Sequence, residues 1–489
     1  MVTLNDYAQG GFLGGESDGQ MELQKAMSAG QITGRDTTGQ TLTQEPLKAE
    51  SLEKTLKLLE YRTTDIKLFN LMPKLTAYNT VEEFLQLSSY GQQRGGFYNE
   101  GELSDVEDSA YIRRSELVKY MQVTGEVTMQ AQMVRSYVDA MRQETENKMM
   151  WIMRLANKSL THADADVIPQ QFNSIYKQHA SVGISQDFLY STFEDYYRAD
   201  VVIDLRGASL KQGDLEDGAV RVDNNYGNVT HLCAPTTVIS AFAKDYYDTQ
   251  RIMMNGGFSG SVNTVPKVIS TTLGDVQLVS DKFMKAELSR TLATPSTSIK
   301  APAAPTVSAV ALAADSNAKY TTAEAGNVFY AVAAVNRYGE SNLTAFATPI
   351  SLAVGQSVDI TLAPGVSAVS ATGYVVYRTK KTAAGSPTGL EFFPIFSLSE
   401  ANRAQGYNGG GAGVVRDRGY FMPDTEQAFM TELTDQVLSF KQLAPISKLD
   451  LAVQSMSRRF IAFLFGTPQV YAPKKIVRYI NVGKTYTAV

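Results

Sequence analysis

The chain has 489 residues, of which 44% are hydrophobic and 19% charged, with a formal net charge of −5 and a pI near 5.5. We therefore expect two to four packed domains and no avid binding to a nucleic-acid backbone. The single cysteine, Cys233, excludes an internal disulfide framework and fits a reducing compartment. We expect no secretory signal, because the N-terminal residues show no basic patch followed by an apolar run. We expect no membrane span, because the apolar run at residues 460–465 is too short.

Residues 1 to about 50 are polar, with scattered glycines and no steady apolar period. Such a segment buries too little apolar surface to order itself alone. It is predicted to be an arm that is either disordered or ordered against other molecules. A short helix is predicted over residues 51–61, with Ser51 as the N-cap.

A long extended hairpin is predicted next. Its limbs are the β-rich segments 80–87 and 111–128, and a glycine-rich tip over residues 89–101 joins them. An acidic run (Glu102, Asp105, Glu107 and Asp108) follows the tip, and two basic residues, Arg113 and Arg114, come after it. These charges are predicted to be solvated or to face a partner, where they would set the register of a contact more than its affinity.

Residues 129–162 show one amphipathic helical pattern without glycine or proline. Its apolar stripe, with one gap at Thr145, comprises Val134, Val138, Met141, Met149, Ile152 and Ala156. About 28 to 30 helical residues would give a rod of about 40 Å. A hairpin feeding a long rod fits a protein that reaches for its neighbours, but it also fits an ordinary α+β domain, and the pattern alone leaves both open.

The following region alternates short strands and helices. Strands are predicted at 201–205, 230–234 and 275–280, and helices at 211–225 and 236–247. The last region is predicted to contain a helix at 431–440, a strand at 446–452, a fully buried strand at 460–465 and a strand of alternating character at 471–482.

Composition changes between these regions, from about residue 294 to residue 427, where Ala, Thr, Ser, Val and Gly dominate and charge is sparse. A proline-rich linker at 295–305 opens this segment. Short alternating runs separated by turn residues follow, at 307–312, 328–335, 358–362, 373–377, 392–396 and 413–416. This spacing predicts a β-sandwich that is inserted into a discontinuous host domain.

Candidate chemistry is sparse. His162 with Asp164 and Asp166 could form a metal cluster, but a polar loop at a helix end is the preferred interpretation. Cys233 shares a strand face with His231, which would allow a cysteine–histidine nucleophile, but a buried, inert cysteine is preferred. The glycine clusters lack the ending of a phosphate loop. We therefore predict no enzymatic activity and no cofactor.

The order of these parts resembles the major capsid proteins of tailed bacteriophages with the Hong Kong 97-like fold. The segments that carry the resemblance are TVEEFLQLSSYG (80–91), TGEVT with the helix after it (124–162), VVIDLRGASL (201–210), LEDGAVRVDNNYGNVTHL (215–232) and SRRFIAFLFGTPQVYAPKKIVRYINV (457–482). The insert is similar to a fibronectin type III or immunoglobulin-like module in YAVAAVNRYGES (330–341), GYVVYRT (373–379) and RDRGYFMPDT (416–425).

The resemblance implies an α+β fold with an N-arm, an extended loop, a long spine helix, peripheral and axial domains, and an inserted all-β immunoglobulin-like sandwich. The implied domains are an arm (1–60), the extended loop with its flanking strands (61–128), the spine helix and peripheral domain (129–230), the first part of the axial domain (231–293), the insert (294–427) and the axial and peripheral C-terminal part (428–489).

It further implies a structural protein that assembles into an icosahedral shell around double-stranded DNA, through hexamers and pentamers of itself. The implied partners are the enclosed genome, which is not bound specifically, and portal, scaffolding and cement proteins. The virion is the implied location, after assembly in the bacterial cytoplasm. The predicted inter-subunit contact residues are Gln92, Arg94, Phe97, Tyr98, Glu102, Asp105, Glu107, Arg113 and Arg114.

Some proteins of this family cross-link covalently through a lysine in the extended loop. Here the tip carries Gln92, Gln93 and Arg94, and the first lysine after it is Lys119, so we expect no cross-link. The rival interpretation is an adhesin or glycan-binding surface protein that uses the inserted sandwich as its binding head.

Overall fold

The computed structural model describes residues 34–35, 41–42, 60–89, 99–103, 108–133, 139–179, 201–249, 267–286, 289–453 and 456–485. The chain forms two compact units, Met1–Glu60 and Tyr61–Val489. In the first unit, the described residues include a short antiparallel pair, β1 (Gly34–Arg35) and β2 (Thr41–Leu42). The helix predicted over residues 51–61 lies outside the described residues except for its last two, which are not helical.

A four-stranded sheet backed by a long helix forms one layer of the second unit. Its strands, in spatial order, are β3 (Lys74–Thr76), β22 (Leu438–Asp450), β23 (Ser457–Val470) and β6 (Lys119–Thr128). The helix α3 (Ala140–His162) covers one face, where buried Ile152, Ala156 and Leu160 share a core with Ala462 and Leu464 of β23. A short helix, α1 (Leu68–Leu71), packs against α3 in the same core.

The single helix predicted over residues 129–162 is wrong in extent. A short helix, α2 (Met129–Met133), precedes α3, and Asp139 between them has an extended backbone with ψ 113°. The carboxylate of Asp139 accepts N–H bonds from Met141 at 2.9 Å and Arg142 at 3.4 Å, so it caps a new helix. The rod therefore has 23 residues, about 35 Å. Ile152 and Ala156 are buried as predicted, whereas Val134 and Val138 lie outside the described residues.

A six-stranded mixed sheet forms a second layer. Its strands, in spatial order, are β7 (Val202–Asp204), β24 (Ile476–Val482), β21 (Glu426–Thr431), β8 (His231–Pro235), β10 (Gly274–Asp281) and β9 (Val268–Thr271). The helices α5 (Gln212–Asp223) and α6 (Thr236–Thr249) cover it. A one-turn helix, α4 (Ile175–Gln178), contacts β21 through the rings of Tyr176 and Phe429. The predicted strands at 201–205, 230–234 and 275–280 and helices at 211–225 and 236–247 are confirmed. Strand β24 begins at Ile476 and is buried along its whole length, because it lies between β7 and β21 and its two faces contribute to different cores. The alternation predicted over 471–482 is therefore wrong.

The helix predicted over residues 431–440 is also wrong. Strand β21 ends at Thr431 and β22 begins at Leu438, with a single turn between them in which Thr434 O accepts the N–H of Leu438 at 3.0 Å. Leu438 pairs with Val470, and Phe440 lies on the same strand face as Leu438. Leu433, Val437 and Phe440 are spaced by four and three residues, and over so short a run this spacing resembles the apolar face of a helix.

The chain leaves the six-stranded sheet after β10 and returns to it as β21. The residues between form a three-stranded sheet of β11 (Thr306–Ala314), β17 (Gln356–Ala363) and β20 (Val414–Asp417). A second sheet contains β14 (Gly339–Glu340), β13 (Tyr330–Asn336), β18 (Gly373–Thr379) and β19 (Phe392–Ser399), with β15 (Thr344–Ala345) beside β13. A separate pair consists of β12 (Gly326–Val328) and β16 (Ile350–Leu352). A helix, α7 (Glu400–Gln405), follows β19. Val310, Ile360 and Val415 of the first sheet share one apolar core with Val332 and Val376 of the second.

A buried charge network ties these layers to the six-stranded sheet. Arg378 in β18 pairs with Asp417 at 3.0 Å and with Glu324 at 3.4 Å. Glu324 also forms an ion pair, at 3.5 Å, with Arg206, which follows β7. The carboxylate of Glu324 thus joins an arginine from each part, which fixes their orientation.

Candidate functional site

The hairpin predicted from the sequence is present, with a shorter return limb. β4 (Val81–Ser89) and β5 (Ala110–Leu117) pair antiparallel from Val81 opposite Leu117 to Ser89 opposite Ala110. At Val118 the chain leaves the hairpin, and β6 joins the four-stranded sheet instead. Val118 is buried, and its N–H donates to Thr80 O at 2.9 Å, so Thr80 and Val118 close the base of the hairpin.

The inner face of the hairpin rests on the segment that follows β23. Phe84 meets the ring of Tyr471 edge-on, with centroids 4.9 Å apart. The side-chain amide of Gln86 donates to the backbone carbonyl of Tyr471, and Gln469 Nε2 donates to Glu82 O at 3.4 Å. One side of the ribbon is therefore partnered within the chain.

The opposite side is not covered by the described residues. Because strand side chains alternate, this hairpin outer face comprises Val81, Glu83, Leu85 and Leu87 of β4 and Tyr111, Arg113, Ser115 and Leu117 of β5. Its five large apolar side chains are 39–71% exposed. Glu83 and Arg113 form an ion pair on the same face. A two-stranded ribbon is marginally stable by itself in water, and an exposed apolar face on it is a candidate contact surface.

A second apolar face lies on the four-stranded sheet, on the side away from α3. On β23 this sheet outer face comprises Ile461, Phe463 and Phe465, which alternate with the residues that face α3. Tyr120 of β6 and Leu449 of β22 lie beside them on the same face. Phe465 lies 4.9 Å, centroid to centroid, from both Tyr120 and Phe463. Tyr120 is 53% and Leu449 57% exposed. The row of rings runs along the strands and presents a continuous apolar strip.

The predicted contact residues fall in three places. Six of them lie outside the described residues, namely Gln92, Arg94, Phe97, Tyr98, Asp105 and Glu107. Glu102 is exposed near the tip, where its carboxylate accepts from the backbone N–H and the Nδ2 of Asn99, both at 3.1 Å. Arg113 lies on the hairpin outer face and Arg114 on the inner face. Their contact with another subunit stays a prediction.

The apolar members of both outer faces were missed by sequence reasoning. The alternation of Leu85 and Leu87 with Phe84 and Gln86 was the available signal for the hairpin. For β23 the run at 460–465 predicted a strand buried on both sides, whereas only its Ala462 side packs against α3.

Glu116 lies on the inner face at the hairpin base and is half-buried. Asn173 Nδ2, in the loop 163–174 between α3 and α4, donates to Glu116 Oε2 at 3.3 Å. Burial raises the pKa of Glu116 to about 7, against the opposing effects of the Asn173 hydrogen bond and of the charges of Arg114 and Lys119. Glu82 stands directly opposite Glu116 across the two strands.

The residues considered for catalysis or metal binding are held in structural contacts. Asp164 and Asp166 both pair with Lys177, at 3.4 and 2.8 Å. Cys233 is buried in the core, and burial raises the pKa of its thiol to about 12, so the unreactive protonated form persists. Among the described residues, no group of three His, Cys, Asp or Glu side chains could hold a metal ion. The helices in the described ranges are too short or too polar to cross a membrane.

The chain is similar over most of its length to proteins of bacteriophages. It is 22% identical over 456 residues to the major capsid proteins of Staphylococcus phages S25-3 and K, covering 89% of this chain and 90% of theirs. A protein of Enterococcus phage phiEF24C, whose name includes the words major capsid protein, is 23% identical over 467 residues, covering 94% of this chain and 95% of its own. No protein-family model matches the chain.

Solved structures align with the chain at lower sequence identity. The capsid of a native GTA particle has a TM-score of 0.45 and 6% identity, covering 89% of this chain and 96% of that one. The capsid structure of cyanophage P-SCSP1u has a TM-score of 0.43 and 8% identity, covering 91% and 96%.

Proposed function

We propose that this chain is the major capsid protein of a bacteriophage, a structural protein whose copies join into the closed shell of the virion. The observation that carries this conclusion is its similarity, over about nine-tenths of both chains, to proteins that bear that name. The two apolar outer faces supply the physical means, because a shell protein must contact several copies of itself.

The hairpin outer face is the first proposed contact. Covering its five half-exposed apolar side chains would contribute about 1 kcal/mol each, at the usual value per area removed from water. The neighbour would also stabilise the ribbon itself, which has one face partnered within its own chain. The hairpin is therefore expected to reach its most stable form only in the assembly.

We propose the sheet outer face of a neighbouring copy as the surface that the hairpin covers. A strip of Tyr120, Phe463 and Phe465 offers rings to the leucines of the hairpin, and aromatic residues are enriched at the centres of interfaces. The two faces differ, so the contact is head-to-tail, and we propose that its rotation closes into rings. Those rings are the hexamers and pentamers of an icosahedral shell.

The fold that we propose is the Hong Kong 97-like one, with α3 as the spine helix and β4–β5 as the extended loop. The excursion between β10 and β21, two sheets around one core, supports an inserted immunoglobulin-like sandwich at 294–427. The divisions at residues 60, 128, 230 and 293 are proposed with it.

The proposed partners follow from a structural role. The shell encloses double-stranded DNA without specific binding, which agrees with a net charge of −5. Portal, scaffolding and cement proteins complete the particle, and assembly takes place in the bacterial cytoplasm. The chain itself carries out no catalytic turnover.

Electron microscopy of the purified protein tests the proposal. The wild type is expected to form closed particles of uniform diameter. Leu85→Glu places a charge in the centre of the hairpin outer face and should leave folded subunits that do not assemble. Ile299→Glu, at a fully exposed site in the inserted segment, is the matched control and should assemble normally.

Two results would contradict the proposal. A wild type that stays monomeric at high concentration would remove the shell function. Normal particles from Leu85→Glu would remove the hairpin outer face as a contact but leave the shell function standing. Circular dichroism of each variant establishes that it is folded.

A further inference from the structure

The hairpin is joined to the rest of the unit through a narrow base. β5 pairs with β4, whereas β6 pairs with β23, and one residue, Val118, separates β5 from β6. Any movement of the hairpin relative to the four-stranded sheet therefore pivots at Thr80 and Val118.

Side-chain contacts on both strands hold the hairpin down on the inner side of this pivot. On β4 they are the contacts of Phe84 and Gln86 with Tyr471. On β5 Asn173 donates to Glu116, and just beyond the pivot Lys119 Nζ donates to Pro169 O at 2.6 Å. The β5 side of the hairpin base thus contacts the loop 163–174 through the carboxyl group of Glu116.

This carboxyl group lies among other charges. The groups that face it are Arg114 on its own strand, Lys119 on β6, Glu82 across the hairpin and Asp166 in the loop. Glu82 Oε1 accepts the backbone N–H groups of Tyr78 and Asn79 at 2.8 and 3.0 Å, and Asp166 pairs with Lys177. Like charges directly opposite on paired strands destabilise the pair, so an ionised Glu116 repels Glu82 while it is partly withdrawn from water.

We propose that Glu116 is a proton-operated latch: its neutral carboxyl can stay buried while the hairpin base is closed against the loop 163–174, and its ionisation, which favours water and sets it against Glu82, loosens the base. The latch is a property of the single chain. Its consequence for assembly rests on the proposed function, because the same hairpin carries the outer face through which copies would join.

The direction of the pH dependence follows from linkage. In the closed base burial raises the pKa of Glu116 from 4.5 to about 7, and in the open base the carboxyl returns to water and to its ordinary value. A group whose pKa is raised in the closed state favours closure fully below the lower value and loses that contribution as pH rises through the higher one. Opening of the hairpin is therefore expected to increase between about pH 4.5 and pH 7 and to level off above.

Hydrogen–deuterium exchange of the β4 and β5 peptides measures the opening. Samples at about pH 5.5 and about pH 8, corrected for intrinsic exchange and kept below the concentration at which light scattering rises, report on unassembled chains. The opening constant of the wild type should be on the order of tenfold larger at the higher pH. Glu116→Gln, which is neutral and still accepts from Asn173, should give the same constant at both.

Two further variants sharpen the test. Glu83→Gln removes a carboxylate from the outer face of the same strand pair and should keep the wild-type pH dependence. Asn173→Asp adds a carboxylate beside Glu116 and should increase opening and move its pH midpoint upward. A wild type without pH dependence, or a Glu116→Gln variant that retains it, would overturn the latch.

Particle formation is scored separately on the same proteins. A pH-dependent exchange that Glu116→Gln abolishes supports the latch even if no particle forms, and the failure then belongs to the shell function. If the chains form normal particles but hydrogen–deuterium exchange of the hairpin does not depend on pH, the shell function is supported and the latch is overturned.

Discussion

Asp281 shows how much one buried side chain can organise. It is fully buried at the end of β10. Its carboxylate accepts from the N–H groups of Lys67 and Leu68, from Asn157 Nδ2 at 2.8 Å and from Phe283 N–H at 2.8 Å. The segment that leads into the hairpin, the helix α3 and the six-stranded sheet therefore meet at one acid.

We expect Asp281→Ala to destabilise the protein by about 3 to 5 kcal/mol, because it leaves several buried donors without an acceptor. Urea unfolding followed by tryptophan fluorescence of Trp151, on α3, measures the loss. Asp275→Ala, at an exposed position of the same strand, is the control and should change stability by less than about 0.5 kcal/mol. Equal losses in the two variants would show that the four contacts of Asp281 carry no special weight.

The break before α3 illustrates what a sequence pattern leaves undetermined at the scale of an element. The apolar stripe continues through Val134 and Val138, so periodicity alone favours one rod. Aspartate is a weak helix former within a helix and a strong N-cap, and the structure uses Asp139 in the second way. Asp139 therefore indicated a helix start, but the prediction of one helix gave more weight to the apolar stripe.

Asp139→Ala should lower the free energy needed to open the first turn of α3 by about 1 kcal/mol, because the N–H groups of Met141 and Arg142 lose their acceptor. Asp139→Asn should be close to neutral, since asparagine caps equally well. Amide exchange of the peptide that spans residues 139–145 distinguishes the two. If both variants opened equally, the cap would not be what starts the helix.

Sheet faces pose a different difficulty. The pairing of the limbs 80–87 and 111–117 could be predicted, because β-rich segments flanked a glycine-rich tip. Which side of each strand meets solvent could not, since a one-residue change of register exchanges the two sides. Long-range partners such as Tyr471 decide it, and sequence proximity does not reveal them.

At the scale of the whole molecule, each copy carries a net charge of −5 while both proposed contact faces are mainly apolar. Added salt should screen repulsion between copies and leave apolar attraction intact. The protein concentration at which particles form should therefore be lower in about 0.5 M NaCl than in about 0.05 M NaCl, as measured by light scattering. Dissolution of particles by salt would instead show that ion pairs hold the copies together.

The strands between β10 and β21 were largely predictable, because composition changes near the places where the chain leaves and re-enters the six-stranded sheet. The low-charge segment from residue 294 matches the excursion between β10 and β21, and the six predicted runs match β11, β13, β17, β18, β19 and β20. The short strands β14, β15 and β16 were not predicted, because two or three residues are too few to show a period.

The place where that excursion leaves and re-enters the host sheet has a practical consequence. β10 ends and β21 begins near the carboxyl end of β8, one on each side of it, so the two junctions are two strand spacings apart, or about 10 Å. Ala286 N–H donates to Glu426 Oε2 at 2.6 Å and fastens them together. The six-stranded sheet should therefore tolerate replacement of the residues between these junctions by a foreign segment whose ends lie about two strand spacings apart.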